Sequence, residues 1–454
     1  MAVPALFAAF ISCQKMSYNL FLLAFVLGIG GAFQYGFPLF SVLVLKYIKS
    51  FIRETCLRRY GSSPSEEMIT LMWSFIVSIY SIGGLLGSLS AGYLSVRFGR
   101  KKAMLFADIP SLLSAALMGL SQLCGSFEMI LVGRLFAGVC GGSALNIHLM
   151  YAGESAPRHV RGLVAVTAST AIATGKFVGF ALEVLGVDAL WPILMAVNAL
   201  PALVHLLTLP FFPDSPRYLL IDKKDKEGCI KAVKWLWGDG DHMAEIDDMM
   251  AEQEATREEK AKSMCDLFRD RPVRWQFITL FLVCSCTQLI GSNVVYFYAY
   301  SVFINAGISP AQTRYVSLGV GITEVLTTLM CVSGPSAEFH SAVMHVLCSL
   351  PTEIFIQSYR PAAYVFNGSI NWIQLFILGL LFPFIVEGLG SFCFIIFLTY
   401  CLSMAIFVFL VMPETKGKTI LQVMEEFNCL NYRGKKKQTI LEQSNCSVVT
   451  VTRL

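Results

Sequence analysis

The sequence predicts an all-α, polytopic membrane protein, and three observations lead there. The first is composition: of 454 residues, 55% are hydrophobic and only 15% charged, where a soluble domain carries about 25% charge. The second is a recurring apolar run of about 20 residues, the length a bilayer core demands of a helix. The third is the charge of the turns. Arg97, Arg100, Lys101, Lys102, Arg158 and Arg161 fall on alternate turns, while turns 124–127 and 186–190 contain no Lys or Arg. Cationic turns stay on the cytoplasmic side, so the N-terminus is expected in the cytoplasm. The formal charge of +4 reflects these loops and points to no nucleic-acid partner. The 14 cysteines lie mostly in apolar segments, without metal-ligand spacing, and read as small apolar residues. Residues 1–13 lack a basic start, so a removable signal peptide is not expected.

The first span covers Asn19 to Leu45, with Gly28, Gly30, Gly31, Gly36 and Pro38. Such breakers are tolerated where neighbouring helices or a cavity satisfy the backbone. It holds no carboxylate. Lys46 to Glu67 then reads as an outside loop despite its five Lys and Arg residues. Spans two to six follow at Leu71–Leu94, Ala103–Leu123, Glu128–Tyr151, Leu163–Leu185 and Trp191–Phe212. Leu71–Leu105 organises the set: Gly83, Gly84, Gly87, Ser88, Ala91 and Gly92 let a neighbouring helix approach closely. Asp214 to Arg271 is the one long polar segment. It reads as short cytoplasmic helices that begin at Pro213-Asp214-Ser215-Pro216-Arg217, a cap followed by a proline. Spans seven and eight lie at Phe277–Phe303 and Gln312–Val332, and the last two at Ala363–Val386 and Phe392–Met412. Between Ser333 and Pro361 no apolar run is long enough to cross. The total is ten spans, six before the polar segment and four after. The expected units are a helical half at 1–212, a linker at 213–273, a shortened half at 274–412 and a cytoplasmic tail at 413–454.

Five strings carry a resemblance. Arg97-Phe98-Gly99-Arg100-Lys101, Gly133-Arg134-Leu135-Phe136-Ala137-Gly138, Glu154-Ser155-Ala156-Pro157 with Arg161-Gly162, Pro213-Asp214-Ser215-Pro216-Arg217-Tyr218-Leu219 and Pro413-Glu414-Thr415-Lys416-Gly417 resemble the sugar-porter signatures. They occur in order and cover nearly the whole chain. The chain thus resembles a facilitative glucose transporter (GLUT, solute carrier family 2) of the major facilitator superfamily, similar to its class II branch. The resemblance implies two helical halves that rock around a central site, passive hexose movement and no cofactor.

Residue by residue, the resemblance places a cytoplasmic latch at Arg100, Arg134, Glu154 and Arg161, with Glu353 and Arg360 as the remainder of a second one. Orientation by charge alone is the plainer alternative. Sugar contacts are implied at Gln288, Asn293 and Thr287 in span seven, and at Asn371 and Trp372 in the next-to-last span. Packing between helices is the competing reading. Phe297 and Tyr298 match an outer gating pair. Ser169 stands where many members carry glutamine, which leaves sugar preference open. Lys176, two helical turns further on the same face, stands at a usually apolar position, and Glu324 where many members have asparagine. An ionisable group inside a membrane helix is expensive and usually paired or functional. A Lys176–Glu324 pair across the central cavity is therefore expected, with Lys176 snorkelling to a wet vestibule as the alternative. His148 and His205 sit alone on apolar spans and read as hydrogen-bonded structural residues.

The largest departure follows span eight. The second basic turn and spans nine and ten of the family pattern are missing. Cys331-Val332-Ser333-Gly334-Pro335 leads almost directly to Pro351-Thr352-Glu353-Ile354-Phe355, which resembles the end of span ten. Loss of two spans keeps both termini cytoplasmic but removes part of the cavity wall. The expected function is hexose uniport, of fructose or glucose, across the plasma membrane by alternating access, with the sugar and the lipid bilayer as partners. Span one carries Gln34-Tyr35-Gly36-Phe37-Pro38 where proton-coupled members have an aspartate, which favours passive transport. The alternative is a shortened, non-transporting chain that associates with full-length carriers. No nucleophile, metal or phosphate motif in 214–271 supports an enzyme.

Overall fold

The computed structural model describes residues 16–38, 45–157, 160–185, 191–255, 262–289, 303, 307–333, 350–351, 354–389, 392–413, 418 and 420–431. The described residues contain helices and turns and no strand. In chain order the helices are α1 (Tyr18–Gly36), α2 (Leu45–Tyr60), α3 (Glu66–Phe98), α4 (Arg100–Leu120), α5 (Phe127–Ser155), α6 (Arg161–Leu185) and α7 (Trp191–Phe211). The linker forms α8 (Lys226–Trp237), α9 (Met243–Ala255) and α10 (Met264–Arg269). The second half holds α11 (Arg274–Leu289), α12 (Pro310–Ser333), α13 (Arg360–Leu389) and α14 (Cys393–Val411), followed by α15 (Ile420–Asn431). Among the described residues, six helices are long and apolar enough to cross a membrane: α1, the Ser78–Phe98 part of α3, α4, α5, the Arg161–Leu182 part of α6, and α7. With α11 to α14 they follow the six-plus-four order of the sequence.

The first half is held by a backbone seam. On α3, a Cβ added at Gly83 would lie 2.2 Å from the Leu135 carbonyl oxygen. On α5, one at Gly138 would lie 2.1 Å from the Tyr80 oxygen, and one at Gly142 2.0 Å from the Gly84 oxygen. No side chain fits those gaps, so the two backbones touch. Helices in lipid associate by such van der Waals contact rather than by hydrophobic burial. α3 starts where the Ser65 hydroxyl accepts from the Met68 amide at 3.3 Å and ends at Gly99, whose φ of +86° turns the chain into α4.

Two segments differ from expectation. Residues 46–67, read as a loop, contain α2. Ile48, Ile52 and Cys56 recur at a spacing of four and pack with Trp191, Met118 and Ile130, while Arg59 bonds Glu128 at 2.6 Å and the Gly125 carbonyl at 2.8 Å. The charge of the segment masked its apolar stripe. The tail likewise contains α15, whose Val423 and Phe427 enter the core formed by Leu280, Val283, Ile354, Phe355 and Phe366. Asn431 anchors its end to the Trp275 amide at 2.9 Å.

Candidate functional site

One face of the molecule carries a buried polar clasp. Arg100, at the start of α4, grips Glu154 of α5 in a two-pronged contact, with Nε–Oε2 and Nη2–Oε1 both 2.9 Å. Its guanidinium also lies 3.1 Å from Asp222 and 4.5 Å from the centre of the Tyr218 ring. Both side chains of the Arg100–Glu154 pair are fully buried, and such paired geometry is among the strongest that side chains make. Ser215 donates to Glu154 at 2.7 Å. Its oxygen also accepts from the Tyr218 amide at 3.3 Å, so the short helix after Pro216 is tied to the clasp.

Two residues carry the clasp across to the second half. Gln357 Nε2 donates to Glu154 and to Asp222, each at 3.2 Å. Glu252 of α9 bonds Arg217, accepts from Arg360 Nη2 at 3.1 Å and accepts from the Gln357 amide at 2.9 Å. Burial pushes the Asp222 carboxyl above its ordinary value, against the opposing pull of Arg100. Asp214 is raised for the same first reason, opposed by the Ser215 and Lys101 amides.

Arg161 is buried at the start of α6, seven residues after Glu154 in the chain. Arg134 is a correction. It lies twenty residues before Glu154 on α5, about 30 Å along the helix, and its guanidinium sits 5.5 Å from the Tyr80 ring. Helix length therefore keeps it out of the clasp. Arg360 draws its acidic partner from Glu252 in the linker. Glu353 lies outside the described residues.

Deeper between the halves, Trp372 of α13 is 1% exposed. Its ring meets Tyr35 and Tyr80 edge-on, each at 5.3 Å, and lies where a Cβ on Gly84 would be 2.2 Å away. Beside it, Gln288 of α11 donates to Asn371, and Asn371 also interacts with Tyr35. Lys176 of α6 pairs with Glu324 of α12 at 2.8 Å, their side chains 5% and 21% exposed. Ser169 is buried two turns earlier on α6. Asn293, Phe297 and Tyr298, and the Thr287 side chain, lie outside the described residues. Gln288 and Asn371 thus lie next to a flat aromatic surface built from both halves, and Lys176 with Glu324 joins the halves by charge. That combination suits a polar ligand with an apolar face. Among the described residues, no group of three His, Cys, Asp or Glu side chains is arranged to hold a metal.

Glu252, Gln357 and Asp222 carry no motif, and their partners Arg360, Glu154 and Arg100 lie far off in the chain. His205, expected alone on its span, has Asp108 2.7 Å away inside the first half. An acid in an apolar span was the available signal.

The comparisons with known proteins fit this architecture. The family profile described as "Sugar (and other) transporter" matches residues 23–334 and 336–427. The horse protein "Solute carrier family 2, facilitated glucose transporter member 5" is 36% identical over 471 residues, covering 92% of this chain and 93% of that protein. Human member 11 is 36% identical over 456 residues, covering 89% and 92%. The solved structure of the proton:xylose symporter XylE bound to 6-bromo-6-deoxy-D-glucose shares the fold, with a TM-score of 0.73 at 20% identity, covering 91% of this chain and 99% of that one. The alignment to the horse protein is longer than this chain's 454 residues, so the relative carries residues that this chain lacks. The profile match is interrupted at Pro335, where the run of spans breaks. By its motifs, its fold and these matches, the chain belongs to the sugar transporter family, in its solute carrier family 2 (facilitative glucose transporter) branch.

Proposed function

We propose that this chain carries hexoses across the plasma membrane as a passive uniporter, by alternating access and without covalent chemistry or cofactor. The observation that supports this best is that Gln288 and Asn371 lie beside an aromatic surface built from both halves around Trp372, with Lys176 and Glu324 joining the halves by charge. In this reading Gln288 and Asn371 exchange their mutual bond for bonds to sugar hydroxyls, and Trp372 takes the sugar's C–H face. Asn293 and Thr287 add contacts from span seven, Ser169 one from α6, and Phe297 and Tyr298 close the outer side. The clasp of Arg100, Glu154, Gln357, Glu252 and Arg360 lies on the cytoplasmic side, with Arg161 and both termini on that side. It breaks when the site opens inward, as two-state closures require. The Lys176–Glu324 pair links the halves.

Proteoliposomes containing only this chain test the proposal. Stereospecific hexose flux that persists when the pH gradient is collapsed is the expected result; strict dependence on that gradient overturns uniport. A second reading has its own observation, the interruption at Pro335. A chain short of two spans assembles with full-length carriers without transporting. Absence of flux by the chain alone, with altered flux when a full-length relative is added, selects that reading.

A further inference from the structure

A polar cluster lies within the first half, away from both the clasp and the site between the halves. Asp108 of α4 is fully buried. One carboxylate oxygen lies 2.7 Å from His205 Nδ1 of α7, and the other accepts from Gln34 Nε2 of α1 at 3.0 Å. Gln34 Oε1 in turn accepts from Cys140 Sγ of α5 at 2.9 Å. His148 of α5 is fully buried nearby, and among the described residues neither of its ring nitrogens, nor Nε2 of His205, has a hydrogen-bond partner. The groups that face Asp108 are thus His205 from α7, Gln34 from α1, and Cys140 with His148 from α5. Among the described residues, no Lys or Arg bonds to it.

The backbone is shaped around this cluster. α1 makes a π-helical turn at Gly28–Ala32, a local break frequent at functional sites. A Cβ on Gly30 would lie 2.1 Å from the His205 ring, and one on Gly31 2.6 Å from His148. Helix regularity and side chains are both given up to seat two imidazoles. Gln34 directly precedes Tyr35, whose ring meets Trp372 and whose carbonyl accepts from Tyr80 at 3.1 Å. The cluster is therefore one residue removed from the aromatic surface of the site.

A carboxylate and an imidazole that share one proton are neutral overall; a further proton leaves a net charge in an apolar interior, which the surrounding groups must move to accommodate. We propose that Asp108 and His205 form a proton-binding site inside the first half, and that uptake of a second proton moves Gln34, and with it Tyr35, against Trp372. The incoming proton comes from water and goes to a carboxylate oxygen of Asp108, while His205 keeps its own. The ion pair is thereby lost, Gln34 no longer faces an anion, and the charge left on His205 lies beside His148. The site requires no sugar, and so stands apart from the transport reading.

Infrared titration of the full chain in lipid, between about pH 8 and about pH 5, reads the carboxylic-acid C=O stretch directly. The expected result is a band that grows on acidification and is absent in Asp108→Asn. In His205→Gln it is present already at the alkaline end, because the carboxyl has lost its base. A titration indistinguishable between wild type and Asp108→Asn overturns the site. So does a His205→Gln variant without a carboxylic-acid band at alkaline pH. The two near-isosteric variants guard against a single folding failure. The link to Tyr35 is read from the fluorescence contributed by Trp372, isolated by comparison with Trp372→Phe. It should change with the midpoint of the infrared band and be flat in Asp108→Asn. Fluorescence that ignores the band overturns the coupling.

Discussion

In the first half, six spanning helices close on one another. α3 and α5 share a backbone seam, Ser111 and Asn198 join α4 to α7 at 3.1 Å, and Arg100 binds Glu154 within the same unit. In the second half, α11 to α14 take parts from elsewhere. α13 lays Trp372 among Gly84, Tyr35 and Tyr80 of the first half and sends the Tyr364 hydroxyl to the Leu149 carbonyl at 3.3 Å. Arg360 takes its counter-charge from linker residue Glu252, and α11 is capped by Asn431 of the tail helix. The contrast teaches that α11 to α14 are held in part by the first half, so contacts across the halves here carry stability.

The most direct way to break this comparison is to separate the halves. Residues 1–212 expressed alone should give a monodisperse, protease-resistant species in detergent, and residues 274–454 alone should aggregate. Equal behaviour in size-exclusion chromatography and limited proteolysis would remove the contrast. Next in size is the clasp. Arg100→Ala leaves Glu154 buried without its main counter-charge, which costs about 3–5 kcal/mol, and thermal unfolding should show a large drop. A drop no larger than that of an exposed control such as Arg58→Ala, whose side chain is 62% exposed, would count against the clasp.

A smaller effect is expected between the halves. Lys176→Ile should destabilise by about 2 kcal/mol, and Lys176→Ile with Glu324→Asn should recover most of that loss, since the unpaired charge is then gone. Additive losses in that double-mutant cycle would show that the pair is not coupled. The same Lys176→Ile chain in liposomes should change flux or sugar preference.

The smallest effect is a pH slope. Burial raises the carboxyls of Asp214 and Asp222 above their ordinary values, so the folded chain binds those protons more tightly than the unfolded chain. Stability from these groups is greatest at acid pH and falls as pH rises from the ordinary carboxylate range through the raised values. Asp222→Asn should flatten that slope in pH-dependent melting, and an unchanged slope would exclude Asp222 as its source.

Much of this was legible in the chain. Run length and turn charge gave the spans and their order, because a helix in hydrocarbon must satisfy its own backbone and so leaves a continuous apolar signature. The glycines of α3 announced a close neighbour, and the motif strings announced the family. Where charge and apolar spacing competed, as in α2, the charge hid a helix. Where a residue's type suggested a shared role, as for Arg134, its distance along α5 decided otherwise.

Local pattern, then, determined where the long apolar helices run and in what order, since each of those facts is written within a few turns of chain. Only the tertiary structure decided the partners: Glu252 for Arg360, Gln357 for Glu154, Asp108 for His205. Those bonds join side chains 108, 203 and 97 positions apart, and no periodicity of one helix encodes which face of another it will meet. Burial in a low-dielectric interior is what makes such choices binding, because a polar group there must find a partner or pay its full desolvation.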